Sequence, residues 1–108
     1  MKVYNLEGKS GRAVANQFVI KDDNRKVFQS YDSTIIEIDR ELQKITVGRD
    51  WDYSITTTRY LKQFLNEEMT WSSKEVEEFK KKLRKSQYSD DNIFVFNNFS
   101  IIYDGDLR

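Results

Sequence analysis

Along the first half of the chain apolar and polar residues alternate with a period of two, which belongs to strands. Thr34–Asp39 (TIIEID) is the clearest case, with Ile36 and Ile38 on one face and Glu37 and Asp39 on the other. Lys2–Leu6, Gln17–Lys21, Lys26–Tyr31 and Lys44–Val47 read as further strands. Asp22-Asp23-Asn24-Arg25 is rich in turn formers and predicts a hairpin, and the short polar turn before Lys44 predicts a second. Gly48-Arg49-Asp50 ends the strand region.

The period then becomes helical. From about Ser54 to Met69, the residues Thr57, Leu61, Phe64, Leu65 and Glu68 share one side, apolar at its centre, with Tyr60 at its edge. A second helix announces its start. Ser72 and Glu75 have the spacing of a capping box, and Trp71 and Val76 that of a hydrophobic staple. Val76, Phe79 and Leu83 form a narrow stripe, which predicts a helix packed on one side only.

Ile93–Phe96 and Phe99–Tyr103 flank Asn97-Asn98. Asn tolerates positive φ, so this pair suits a two-residue type I′ turn. That register pairs Phe96 with Phe99 and Phe94 with Ile101 on one face, and Ile93 with Ile102 and Val95 with Ser100 on the other. Both faces are largely apolar, so the hairpin is expected inside the sheet or covered on both sides. The predicted fold is a single α+β domain over residues 1–108. It has a mainly antiparallel sheet of about five to seven short strands and two consecutive helices, set on one face.

Composition narrows the chemistry. The 108 residues include no Cys, no His and no Pro. Without Cys there are no disulfides, thiolate nucleophiles or Cys-ligated metals. Without His the commonest general base and transition-metal ligand are missing. Lys+Arg and Asp+Glu balance at 18 each, so there is no basic excess of the kind nucleic-acid binders carry. No apolar run approaches the roughly 20 residues of a membrane span, and Met1–Glu7 lacks the apolar core of a signal peptide. A cytoplasmic protein without membrane contact is the expectation.

Several residue groups invite a functional reading. Gly8-Lys9-Ser10-Gly11-Arg12 contains the Gly-Lys-Ser of a phosphate loop, but Val3 stands where the Walker pattern needs its first Gly. A helix should also follow, and Gln17–Ile20 reads as a strand. Lys9 and Arg12 remain as cations on a Gly-flanked loop, suited to a phosphate backbone or an acidic partner. Lys80, Lys81, Lys82, Arg84 and Lys85 form the one dense basic run. It is a candidate nucleic-acid patch, yet Glu75, Glu77 and Glu78 before it and the cations after it also complement a helix dipole. Glu77–Lys81 and Glu78–Lys82 have the spacing of i, i+4 pairs.

Carboxylate pairs occur at Asp22-Asp23, Asp50 and Asp52, Asp90-Asp91, and Asp104 and Asp106. Glu37, Asp39, Glu41 and Lys44 lie across one hairpin, but at no nuclease spacing. No metal, cofactor or catalytic residue is assigned, and the chain is not expected to be an enzyme. Trp51-Asp52-Tyr53 is the densest aromatic spot outside the predicted core, and Tyr31 in the turn Tyr31-Asp32-Ser33 has the same character. Trp51, Tyr53 and Tyr31 are candidate partner anchors, since such rings bury area at low entropic cost. The same residues could instead close the core.

Three stretches resemble known sequences: Gly8–Ile20 (GKSGRAVANQFVI), Phe28–Ile35 (FQSYDSTI) and Trp51–Leu65 (WDYSITTTRYLKQFL). They are similar to small uncharacterised proteins carried by phages and mobile elements of Gram-positive bacteria, over roughly the first two-thirds of the chain. No catalytic motif comes with the resemblance. It implies a context in which small proteins inhibit host defence, as anti-CRISPR proteins do. The partner implied is a host defence protein or ribonucleoprotein; the resemblance carries over no site residues, and the contacts expected from the residue readings above are Lys9, Arg12, Tyr31, Trp51 and Tyr53. The alternative is a nucleic-acid-binding accessory module that uses Lys80–Lys85 with the Gly-flanked loop.

Overall fold

The computed structural model describes residues 1–108. The elements run β1 (Lys2–Glu7), β2 (Ala13–Lys21), β3 (Arg25–Ser30), β4 (Ser33–Asp39), β5 (Lys44–Gly48), α1 (Ile55–Glu68), α2 (Ser73–Gln87), β6 (Ile93–Phe96) and β7 (Phe99–Asp104). Seven strands form one sheet in the order β1-β2-β3-β4-β5-β7-β6. Strands β1 to β5 are a meander of antiparallel neighbours, β7 joins β5 in parallel, and β6 pairs antiparallel with β7 at the edge. The fold is thus α+β with a mainly antiparallel sheet, in the predicted order of strands, two helices and a final hairpin.

The local signals act as their chemistry requires. Ser54 caps α1 by accepting from the Thr57 amide, and Thr57, Leu61, Phe64 and Leu65 are its buried residues. Ser72 and Glu75 form both hydrogen bonds of the capping box on α2. Asn97 and Asn98 both have positive φ, 47° and 69°, and the hairpin register is the predicted one. On α2 the ion pair that forms is Glu77–Lys80 at 3.0 Å, one residue closer than the expected i, i+4 partner.

Alternate residues of the sheet, including Val19, Phe28, Ile36, Ile38, Ile45, Val47 and Ile101, are buried together with the inner faces of both helices. Phe28 stacks on Phe64 with ring centroids 5.6 Å apart, and Trp71 meets Phe79 and Phe96 edge-on. A bulge at Phe28/Gln29 shifts the β3–β4 register, and both Ile35 and Ile36 are buried beside it. The bulge bends β4 just after the turn at Tyr31. Gly48 answers a close approach: a Cβ there would lie 2.4 Å from the Thr34 carbonyl oxygen and 2.9 Å from that of Leu107.

The expectation of a hairpin covered on both sides needs correction. Strand β7 is interior, but β6 is the sheet edge, with Ile93 and Val95 at 53% and 70% exposure. The covered face carries Phe94, Phe96, Phe99 and Ile101, whereas Ile93, Val95, Ser100 and Ile102 share the face away from the helices. Scattered exposed apolar residues are ordinary on a protein surface, so apolarity on both faces does not prove two-sided burial.

The C-terminal end of α1 is pinned by charge. Glu68 is its last residue, where a carboxylate opposes the helix dipole. Tyr4 donates to it at 2.6 Å, and Lys21 and Lys26 pair with it at 2.9 and 3.1 Å. Lys26 and Arg40 also donate to the Glu68 carbonyl, satisfying an orphan acceptor of the last turn. Burial works to raise the Glu68 carboxyl, but the hydrogen bonds from Tyr4, Lys21 and Lys26 outweigh it and hold the group below its usual range. Lys21 is held above its ordinary value by its hydrogen bond to Glu68, and burial, then the bond to Glu68, raises the Tyr4 hydroxyl. The chain leaves this end through Thr70 at φ 54°, a left-handed conformation that is strained for a β-branched residue.

Candidate functional site

The opposite end of α1 is open. A cleft of about 620 Å³ lies between the β3–β4 turn and the start of α1, lined by residues 30–33, Ile35, Asp50, Tyr53, Ser54, Thr56 and Thr57. Its volume is in the usual range of ligand-binding clefts. Its floor is a chain of hydroxyls: Ser30 Oγ lies 3.1 Å from Thr57 Oγ1, which accepts from Ser54 Oγ at 3.1 Å. Ser33 Oγ donates to Asp50 Oδ2 at 2.8 Å and so ties the turn to the β5–α1 connection. Gln17, the ladder partner of Ser30 on β2, is fully buried, with neither end of its amide hydrogen-bonded.

Two of the predicted anchors meet here. Tyr31 and Tyr53 both line the cleft and are 49% and 75% exposed. Tyr31 holds φ 55°, an uncommon state for a bulky side chain, and its amide donates to the Asn16 carbonyl at 2.7 Å. The ladder between β2 and β3 therefore fixes the turn that presents the ring.

Trp51, the third predicted anchor, is buried in the core and does not line the cleft. It is fully buried where β5 hands over to the helices, its indole N–H donates to Gln87 Oε1 at 3.1 Å, and the Arg84 guanidinium lies over its ring at 5.4 Å. One residue separates Trp51 from Tyr53, and nothing local distinguishes the ring that enters the core. Lys9 and Arg12 are exposed on the β1–β2 turn, where Gly11 takes φ 77° and a strand follows. They line no part of the cleft. Lys81, Lys82, Arg84 and Lys85 are exposed on α2, while Lys80 is half-buried and paired with Glu77.

Several of the acidic candidates are put to local use. Asp22, Asp39, Asp91 and Asp104 each accept from a backbone amide two or three residues on, as turn carboxylates do. Glu37, Asp39 and Lys44 share a shallow groove on the uncovered sheet face with Arg25, which pairs with Glu37 at 3.3 Å. No helix of the structure is long and apolar enough to cross a membrane.

A family model matches residues 1–90, which span every element up to the end of α2. The chain belongs to DUF8033, a family of unknown function. No curated protein and no solved structure matches it. All residues lining the cleft fall inside the DUF8033 match, whereas the β6–β7 hairpin lies beyond it.

The cleft was only half legible from the sequence. Aromatic anchors in a turn and a strand-to-helix junction were recognisable, but their convergence depends on the β3–β4 turn and the α1 start lying at one end of the sheet. Ser30, Ser33, Ser54, Thr56 and Thr57 gave no signal, since hydroxyls this common carry no spacing rule.

Proposed function

We propose that this chain is a non-enzymatic binding protein of a phage or mobile element that inhibits a host defence complex, in the manner of an anti-CRISPR inhibitor of an RNA-guided nuclease. The observation that carries the binding reading is the cleft, which joins two exposed tyrosines to a chain of hydroxyls and two carboxylates. Tyrosines so placed are suited to fill a pocket or receive a side chain at an interface. The host context rests on the resemblance of the three stretches named above. Inhibition would follow from occupying a surface that the complex needs. The test is cleavage by reconstituted RNA-guided nucleases of several subtypes with the protein present. Inhibition by the wild type and its loss in Tyr31→Ala plus Tyr53→Ala supports the proposal. Unchanged cleavage and assembly across the subtypes removes it.

A second reading has its own observation. Lys81, Lys82 and Lys85 are exposed on α2 and none of them forms an ion pair. As a nucleic-acid accessory module, the protein would bind with an affinity that falls linearly in log–log terms as salt rises. Charge reversal at these three positions would then abolish binding and leave the fold intact.

A further inference from the structure

The geometry points to a cationic side chain as the ligand of the cleft: the guanidinium or ammonium of an arginine or lysine presented by a partner protein. This inference rests on the binding reading above and specifies its chemistry.

Ten residues line the cleft; Asp32 and Asp50 are the charged ones and none is basic. The chain as a whole carries 18 cationic and 18 acidic residues, so a lining of one sign is a local departure. Three carboxylates elsewhere hold ion pairs: Glu68 with two lysines, Glu37 with Arg25 and Glu77 with Lys80. Asp32 and Asp50 form no ion pair, and Asp50 uses Oδ2 for the Ser33 hydroxyl, which leaves its second oxygen free to accept. Two acceptors without a cation stand beside two exposed phenol rings.

Ring faces attract cations through their quadrupole. The molecule already uses that contact twice, with Lys21 over Tyr4 at 5.5 Å and Arg84 over Trp51 at 5.4 Å. The hydroxyl groups of Ser33, Ser54, Thr56 and Thr57 offer further acceptors for the N–H groups of a guanidinium. The start of α1 opposes a cation, but a helix end carries only about half a charge, against two full carboxylates. A phosphate would meet those carboxylates directly, which disfavours nucleic acid as the occupant. RNA-guided nucleases hold their heteroduplex in a positively charged channel. An arginine seated in this cleft would be one withdrawn from phosphate.

The test uses the full chain labelled with nitrogen-15 and titrated with N-acetyl-arginine methylamide, its lysine and citrulline counterparts, and inorganic phosphate. The arginine or lysine probe is expected to shift the amide signals of Tyr31, Asp32, Tyr53 and Thr56 saturably. Citrulline, of the same shape but uncharged, should bind about tenfold more weakly or worse. Asp32→Asn and Tyr53→Ala change exposed positions, so each should weaken the cation by about tenfold while the circular dichroism spectrum stays the same. Equal binding of citrulline, phosphate bound at these residues, no saturable shift, or shifts confined to other surfaces would each overturn the inference. A cation bound at the cleft with no effect on any nuclease retains the site and removes the inhibitor reading. Inhibition that survives both substitutions retains the inhibitor and removes the site.

Discussion

The two ends of α1 answer the same problem in opposite ways. Its C-terminal end carries a carboxylate where the dipole disfavours one; Tyr4, Lys21 and Lys26 from β1, β2 and β3 hold that carboxylate, and Lys26 and Arg40 donate to the carbonyl of the same residue. Its N-terminal end has carboxylates nearby on the favourable side of the dipole, but leaves Asp32 and Asp50 without a cation beside an open cleft. One end spends its charges on holding helix to sheet. The other keeps its charges available. The difference teaches where to look for function in a chain without His or Cys: at charges the fold has not used.

The contrast can be broken hardest at Glu68. Removing its carboxylate in Glu68→Ala strands Lys21 and Lys26 in a partly buried site and should cost about 2 kcal/mol, less than a fully buried pair because both lysines reach water. Urea unfolding would show it as a lower midpoint with an unchanged slope. The pH dependence has a definite sign. The Glu68 carboxyl is lowered from 4.5, so its contribution is present above that value and is lost as pH falls through the depressed one. Lys21 is raised from 10.5, so its contribution is present below that value and is lost as pH rises through the elevated one. Glu68→Gln should therefore flatten the loss of stability in acid. Acid unfolding curves that superimpose with and without the carboxylate would refute this account.

A smaller effect sharpens the same comparison through backbone strain. Thr70 and Tyr31 both take left-handed φ, one beside each end of α1. Thr70→Gly should stabilise by about 1 kcal/mol, since glycine takes that conformation without a Cβ penalty, and should raise Tm by about 4 °C. Tyr31→Gly should leave stability equal or slightly higher and weaken whatever the cleft binds. Strain retained at a binding residue and removable at no cost to the fold is what a functional constraint looks like. A Tyr31→Gly protein that unfolds would mean that the ring is structural.

Local rules made most elements legible. The capping box at Ser72, the stripe from Thr57 to Leu65 and the Asn97-Asn98 turn each need only a few consecutive residues, and the sequence displays them. The parallel pairing of β5 with β7 and the placing of β6 at the edge were not legible, because no short pattern reports contacts between distant segments. The Glu68 cluster escaped for the same reason, since its members range from Tyr4 to Glu68. Trp51 and Tyr53 look alike in sequence, and only the path of the chain decides that one enters the core and the other the cleft.

The parallel β5–β7 pair has a kinetic consequence. Ile45 faces Ile101 across a loop that contains both helices, whereas the meander from β1 to β5 closes through short turns. Ordering that loop costs entropy before the pair rewards it, so the last strands should dock after the meander has formed. Until then one side of β5 is an unsatisfied strand edge, open to the wrong neighbour. Truncating Ile101 to Val should chiefly speed unfolding, and truncating Ile38 to Val should chiefly slow folding. The reverse assignment in stopped-flow measurements would place the nucleus at the C-terminal hairpin. Assembly of this protein thus proceeds from its most local pairings to its least, and the most exposed interval for misassembly is the one before the hairpin arrives.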